Sequence, residues 1–147
     1  MAPIADTPGF IIELTAKRLK HAFQKALVKW NSGITADQWM ILNMLYEQDG
    51  ISQFEIGKIA SKDAPTVTRI IDLLVDKDLL HRSPDPADRR RFKIHLTTKG
   101  KNKYRKLISH VREFRLNHFS GLNETDLQTL RRILSSIDSN IQKHKSQ

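Results

Sequence analysis

The segment Asp85-Pro86-Ala87-Asp88-Arg89-Arg90-Arg91 ends in three adjacent guanidinium groups. Guanidinium keeps its charge at every physiological pH. Its planar fork of donors matches phosphate oxygens or the O6/N7 edge of guanine. The triplet sits within a wider concentration of charge. Between Arg82 and Lys106 lie ten basic and two acidic residues, so this stretch carries +8 of the chain's formal net charge of +9. The rest, with 15 basic against 14 acidic side chains, is close to neutral. A solvated surface is the ordinary outcome of a charge run, and a membrane-surface helix is another. Here the densest part, Asp88 to Arg91, falls in a turn and not on an amphipathic helix, which favours a polyanion such as nucleic acid.

A second group of polar side chains lies upstream. Asp63-Ala64-Pro65 has the acid-then-proline start of a helix. In that helix Val67, Ile70, Ile71, Leu74 and Val75 form the apolar stripe, leaving Thr66, Thr68, Arg69 and Asp72 toward solvent. Hydroxyls and a guanidinium suit phosphate oxygens, the thymine methyl or a guanine edge. The same residues would equally solubilise an ordinary helix. Lys62, just ahead, adds a cation suited to a phosphate.

Other chemistries are poorly served. There is no cysteine, which excludes disulfides, thiolate metal sites, a cysteine nucleophile and thiol redox sensing. The glycines at 9, 33, 50, 57, 100 and 121 form no GxGxxG, and Gly57-Lys58 lacks the earlier glycine of a phosphate-binding loop. Neither HExxH nor GxSxG occurs. None of the six histidines has a His, Asp or Glu four residues on in a helix, so no metal and no cofactor is expected. No apolar run reaches the roughly 18 residues of a membrane span, and no signal-peptide pattern is present. The expectation is a soluble, cytoplasmic, non-enzymatic protein of one domain, or of one domain plus an oligomerisation extension.

The elements that must position these residues are mainly helical. Thr7-Pro8 opens a first helix carrying Ile12, Ala16, Leu19, Phe23, Ala26, Leu27 and Trp30 to Asn31-Ser32-Gly33. Thr35-Ala36-Asp37-Gln38 and Ser52-Gln53-Phe54-Glu55 are capping boxes. They start a second helix with Trp39, Leu42 and Leu45, and a short third one burying Ile56, Ile59 and Ala60. After the Asp63 helix the period shifts from 3.6 to 2. Leu79 to Ser83 reads as a strand and Pro84 to Asp88 as a turn. Phe92, Ile94 and Leu96 then alternate with Lys93 and His95 in a returning strand. Thr97-Thr98 caps a long helix bearing Tyr104, Leu107, Ile108, Val111 and Phe114, stopped by Gly121. In the last helix Leu127, Leu130, Leu134, Ile137 and Ile141 are spaced 3, 4, 3 and 4, a narrow seam for packing on other helices.

Helix, tight turn, helix, then a hairpin tipped with arginine describes a winged helix-turn-helix: mainly α with a small β-hairpin wing. In that arrangement the Asp63 helix enters the major groove and a wing arginine can enter a narrow minor groove.

Four segments resemble the MarR family of bacterial transcription regulators over nearly the whole chain. They are Thr35…Gln38-Trp39-Met40-Ile41-Leu42, Glu55-Ile56-Gly57, Pro65-Thr66-Val67-Thr68-Arg69-Ile70-Ile71-Asp72-Leu73-Leu74, and Asp85-Pro86-Ala87-Asp88-Arg89-Arg90…Leu96-Thr97…Gly100. The last, wing plus Leu-Thr-x-x-Gly, is the most specific. The resemblance implies a winged helix-turn-helix lobe over 34–97. It implies a homodimer built from 8–33 and 98–147, with the seam Leu127, Leu130, Leu134, Ile137 and Ile141. It further implies repression of a pseudo-palindromic double-stranded DNA operator, relieved by a small ligand, often an aromatic acid or phenol.

Carried over position by position, Thr66, Thr68 and Arg69 fall on the recognition helix and Arg82 on the strand entering the wing. Arg89 and Arg90 fall at the wing tip, with Arg91 an addition to the minimal motif. Asp63 matches an acid that pairs with the wing arginine equivalent to Arg90. With Asp88 it is a clamp candidate and not a DNA contact. The family's effector pocket lies near the junction of helices and lobe, where this chain has His21, Phe23, Trp30, Trp39 and Tyr46; at helical spacing these equally make plain core. A winged helix used for protein or RNA contact is the alternative to operator binding.

Overall fold

The structure, a computed structural model, describes residues 3–146. After a 3₁₀ turn at Ile4–Asp6, the helices are α1 Pro8–Lys29, α2 Ala36–Glu47, α3 Gln53–Ala60 and α4 Ala64–Asp76. The strands β1 Leu80–Asp85 and β2 Asp88–Leu96 follow, then α5 Thr98–His118 and α6 Glu124–Lys145. The chain forms two compact units that divide inside α5, one running to Val111 and the other from Arg112.

Local chemistry sets most of the boundaries in the first unit. Both sequence-predicted capping boxes form: the side chains of Thr35 and Ser52 accept from the N3 backbone, while Gln38 and Glu55 reach back to the cap N–H. Each such cap satisfies two helix-end donors that would otherwise go unpaired. Asp63 caps α4 by accepting the Thr66 N–H at 2.8 Å. Between α3 and α4 the chain turns through Ser61, which adopts the left-handed conformation at φ 52°. Gly57 lets this turn close, since a Cβ there would stand 3.2 Å from the Lys62 carbonyl oxygen.

The core draws on all five α-helices and both strands of this unit. Leu27 of α1, Ile41 and Leu42 of α2, Ile56 of α3, Ile71 and Leu74 of α4 and Ile94 of β2 are fully buried, joined by Leu107 and Val111 of α5. Full burial of such a side chain contributes about 1.5–3 kcal/mol before entropy is counted. The first half of α1, including Ile11 and Ile12, is exposed. Two further apolar positions depart from the sequence pattern. Ile59, expected inside, is 64% exposed because it lies on the outer side of the short α3, and Phe92 is exposed because it stands opposite Pro84 at the outer end of the hairpin.

The hairpin is longer than the sequence suggests, and this corrects the placement of the arginines in a turn. The strands pair from Leu80↔Leu96 to Pro84↔Phe92, then the register breaks and resumes at Asp85↔Asp88. Arg89, Arg90 and Arg91 thus belong to β2 as a segment without partners on β1. Such a bulge bends its strand and re-aims side chains. At the base of the hairpin Ile51 and Ser52 add a short edge: Ile94 donates to the Ile51 carbonyl, Gly50 donates to the Ile94 carbonyl, and Ser52 bridges Lys93. Asp49 reinforces this join, accepting the Leu96 N–H at 2.8 Å and meeting His95 Nδ1 at 3.0 Å, while His95 Nε2 lies 2.8 Å from Ser83 Oγ.

The Leu-Thr-x-x-Gly motif has a packing explanation. The Thr97 hydroxyl donates to the Asp78 carbonyl and accepts the Gly100 N–H, and Gly100 lies under the Leu79 carbonyl, where a Cβ would stand 2.1 Å from the oxygen. In the second unit Asn123 forms a third capping box at the start of α6. Along α6, Leu127 is half-buried, while Leu130, Leu134, Ile137 and Ile141 are exposed.

Candidate nucleic-acid interface

Helix α4 buries Val67, Ile70, Ile71 and Leu74, which turns the opposite side outward. There Ala64, Pro65, Thr68, Arg69, Asp72 and Leu73 line a shallow open depression. Thr68 and Arg69 are exposed and Thr66 half-buried, so the three predicted recognition residues all lie in the N-terminal half of one helix. Arg69 makes no ion pair among the described residues, leaving its fork of donors open.

The acid at the head of this helix acts on the helix itself. Hydrogen bonds from Thr66, from its side chain and then its backbone N–H, hold the Asp63 carboxyl below the usual carboxylate range, with Arg69 and Lys62 adding to the effect. The pairing of Asp63 with Arg90 implied by the resemblance is not formed: among the described residues Arg90 pairs with Asp88, Nε to Oδ1, at 3.4 Å. The reason is proximity. Asp88 also accepts the Arg90 backbone N–H at 3.0 Å, so the wing supplies its own acid.

The three wing arginines differ in what holds them. Arg90 projects, its side chain 92% exposed despite the Asp88 contact. Arg89 is exposed and unpaired among the described residues. Arg91 is docked: its guanidinium carbon lies 4.3 Å from the centre of the Phe54 ring, and its Nε is 3.7 Å from Asp88. A cation over an aromatic face is held by the ring quadrupole. Lys58 approaches the same ring at 5.0 Å, which explains how Phe54 remains half-exposed on α3.

Arg82 is engaged more firmly. Its guanidinium pairs with Asp72 of α4, and its Nε donates to Gln53 Oε1 at 3.4 Å. Gln53 Nε2 in turn donates to Thr68 Oγ1 at 2.7 Å. Gln53, Phe54 and Asp72 therefore hold the predicted residues Thr68, Arg82 and Arg91 in place, although the sequence assigns them no role; the only signal is their position on two helices that a helix-turn-helix brings together.

Other basic residues are partly occupied by the fold. Lys62 lies 3.4 Å from Asp37, which also pairs with Lys20 at 2.8 Å. Burial alone would raise the Asp37 carboxyl, but the Lys20 hydrogen bond and the charges of Lys20 and Lys62 outweigh it and hold it low. Lys103 donates to the Ser32 carbonyl at 2.6 Å; burial, and then the nearby charges of Lys106, Lys77 and Lys99, push its ammonium below the usual lysine range.

The aromatic residues considered for an effector fall into two groups. Trp39 is buried and stacks on Tyr104, which stacks on Tyr46. Trp30 stacks on His110 and meets Phe23 edge-on at 6.3 Å. His21 lies on an exposed position of α1. No group of three potential metal ligands occurs among the described residues, and no helix is long and apolar enough to cross a membrane.

Comparison with known proteins agrees with this geometry. Residues 34–92 match the MarR family. The transcriptional repressor NicR of Pseudomonas putida is 30% identical over 104 residues, a match that takes in 67% of this chain and 66% of that protein. The S. aureus MepR–DNA complex superposes with a TM-score of 0.81 at 26% identity, covering 95% of this chain and 99% of that one. BpsR of Bordetella bronchiseptica, whose DNA binding is regulated by 6-hydroxynicotinic acid, gives 0.83 at 25% identity, covering 94% and 97%.

Proposed function

The chain belongs to the MarR family of transcription regulators, and we propose that it binds a pseudo-palindromic DNA operator as a cytoplasmic homodimer and represses transcription until a small ligand releases it. One observation carries the reading: the open face of α4 with Thr68 and Arg69, and the exposed arginines of the β2 bulge, lie in one lobe, in and beside the stretch that holds nearly all the net charge. Thr66, Thr68 and Arg69 would meet base edges, while Arg89 and Arg90 meet phosphates or the minor groove. Lys62 serves as a weaker phosphate contact, since Asp37 shares its charge.

The lobe over 34–97 reads DNA, and 8–33 with 98–147 joins two copies. The exposed seam of Leu130, Leu134, Ile137 and Ile141, continued by Leu127, supports that division. A two-fold dimer presents two recognition helices to half-sites about one helical turn apart. For the effector, an aromatic acid is the favoured class, because the structurally similar BpsR responds to one. Phe23 and Trp30, not the deeply packed Trp39, are the residues to contact it, with His21 as a polar partner.

Selection of bound sequences from a random duplex pool tests this. A palindrome with half-sites roughly 10 bp apart is the expected result. Failure to enrich any duplex, with retention of protein or RNA instead, would favour an interaction module.

A further inference from the structure

Asp72, Arg82, Gln53 and Thr68 form a continuous chain of polar contacts across α4, β1 and α3. The direction of this chain is fixed from one end. Arginine donates and never accepts. Arg82, held by Asp72, therefore requires the carboxamide oxygen of Gln53 on its side, and the Gln53 amide must face Thr68. The Gln53 N–H donates to Thr68 Oγ1 at 2.7 Å, so the Thr68 oxygen is the acceptor and its own hydrogen is left over. Among the described residues no acceptor engages that hydrogen, and Thr68 lies on the exposed depression of α4.

We infer that Gln53 is a specificity-positioning residue that locks the Thr68 hydroxyl as a hydrogen-bond donor toward the base edge it meets. An unrestrained threonine hydroxyl rotates and serves equally as donor or acceptor, which reads little. A polarised one prefers bases whose major-groove edge presents acceptors, guanine through O6/N7 or thymine through O4, over cytosine, which offers only its amino donor, with adenine, whose amino group adjoins an N7 acceptor, in between. The charge of Arg82 thus reaches the base through two neutral groups.

The inference rests on the operator-binding reading, and binding-site selection with the full chain separates the two. Thr68→Val identifies the base pair that Thr68 faces, as the position whose preference changes. At that pair the wild-type chain should favour guanine or thymine by up to about tenfold, the discrimination one hydrogen bond supplies. Gln53→Glu offers only acceptors, so it accepts a hydrogen bond from the Thr68 hydroxyl and turns the oxygen lone pairs outward. Its preference should move to cytosine or adenine at that pair alone, whatever uniform loss of affinity the added charge brings. Gln53→Met, apolar and of similar length, should flatten the preference to about twofold or less.

Unchanged preference at that pair in Gln53→Glu overturns the inference. If Gln53→Glu does not fold, the Met variant decides, and a retained wild-type preference overturns it equally. A Thr68→Val variant that alters no position does the same. Failure of the wild-type chain to enrich any duplex instead overturns the operator-binding reading itself.

Discussion

Helices α4 and α6 carry the same kind of amphipathic pattern and meet opposite fates. In α4 the stripe of Val67, Ile70, Ile71 and Leu74 is covered by its own chain, so the open side carries Thr68, Arg69 and Asp72 beside Leu73. In α6 the stripe of Leu130, Leu134, Ile137 and Ile141 is 37–50% exposed. Periodicity reports that a helix has an apolar side, but it does not report who covers it. For α4 the functional surface is what the core leaves over. For α6 the exposed apolar stripe is itself the proposed contact surface, with a second copy of the chain as its occupant.

The largest effect is expected from breaking the α6 side of this contrast. The double variant Leu134→Asp/Ile137→Asp should yield a folded monomer by sedimentation and circular dichroism. Its operator affinity should fall by about a hundredfold or more, because two lobes no longer bind as one unit. A monomer with undiminished affinity would dissolve the distinction between the helices. Next comes Arg90→Ala, which should weaken binding by about tenfold and make the salt dependence shallower while the dimer stays intact. Gel shifts across a salt series, with sedimentation alongside, check it.

Smaller effects test what holds α4. Asp63→Ala removes the cap of the helix bearing Thr66 and Thr68, and should lower the melting temperature and cost about threefold in affinity. Asp63→Asn retains a capping oxygen and should stay near wild type. If both variants lose binding alike, Asp63 contributes through its charge and not its cap.

The smallest effect lies at acid pH. The folded chain holds the Asp37 carboxyl low, so its contribution is present above the ordinary carboxylate pKa and is lost as pH falls through the folded value. Denaturant midpoints should therefore fall below about pH 4, less steeply in Asp37→Asn, with no Asp37-dependent change near neutrality.

Much of this architecture was legible in local signals. The capping boxes at Thr35 and Ser52 and the Asp63 cap each involve residues three apart, and all form as their spacing suggests. Gly100 marks a close approach to Leu79, a constraint a lone glycine can betray. What escaped was non-local. The Gln53–Thr68 bond joins residues 15 apart on different helices, and nothing in the spacing announces it. Proline and aspartate clustered beside the arginines predict a turn, whereas strand register carries them into β2 as a bulge. The Asp63–Arg90 pairing failed for a related reason: Asp88 lies two residues from Arg90 and competes successfully for it.

Hydroxyl-radical footprinting of the wild-type dimer on its selected duplex tests the central claim most directly. The account predicts two protected blocks on one side of the duplex, centred about one helical turn apart, with flanking minor-groove protection that disappears in Arg89→Ala/Arg90→Ala. A single block, or flanking protection unchanged in the double variant, would contradict it.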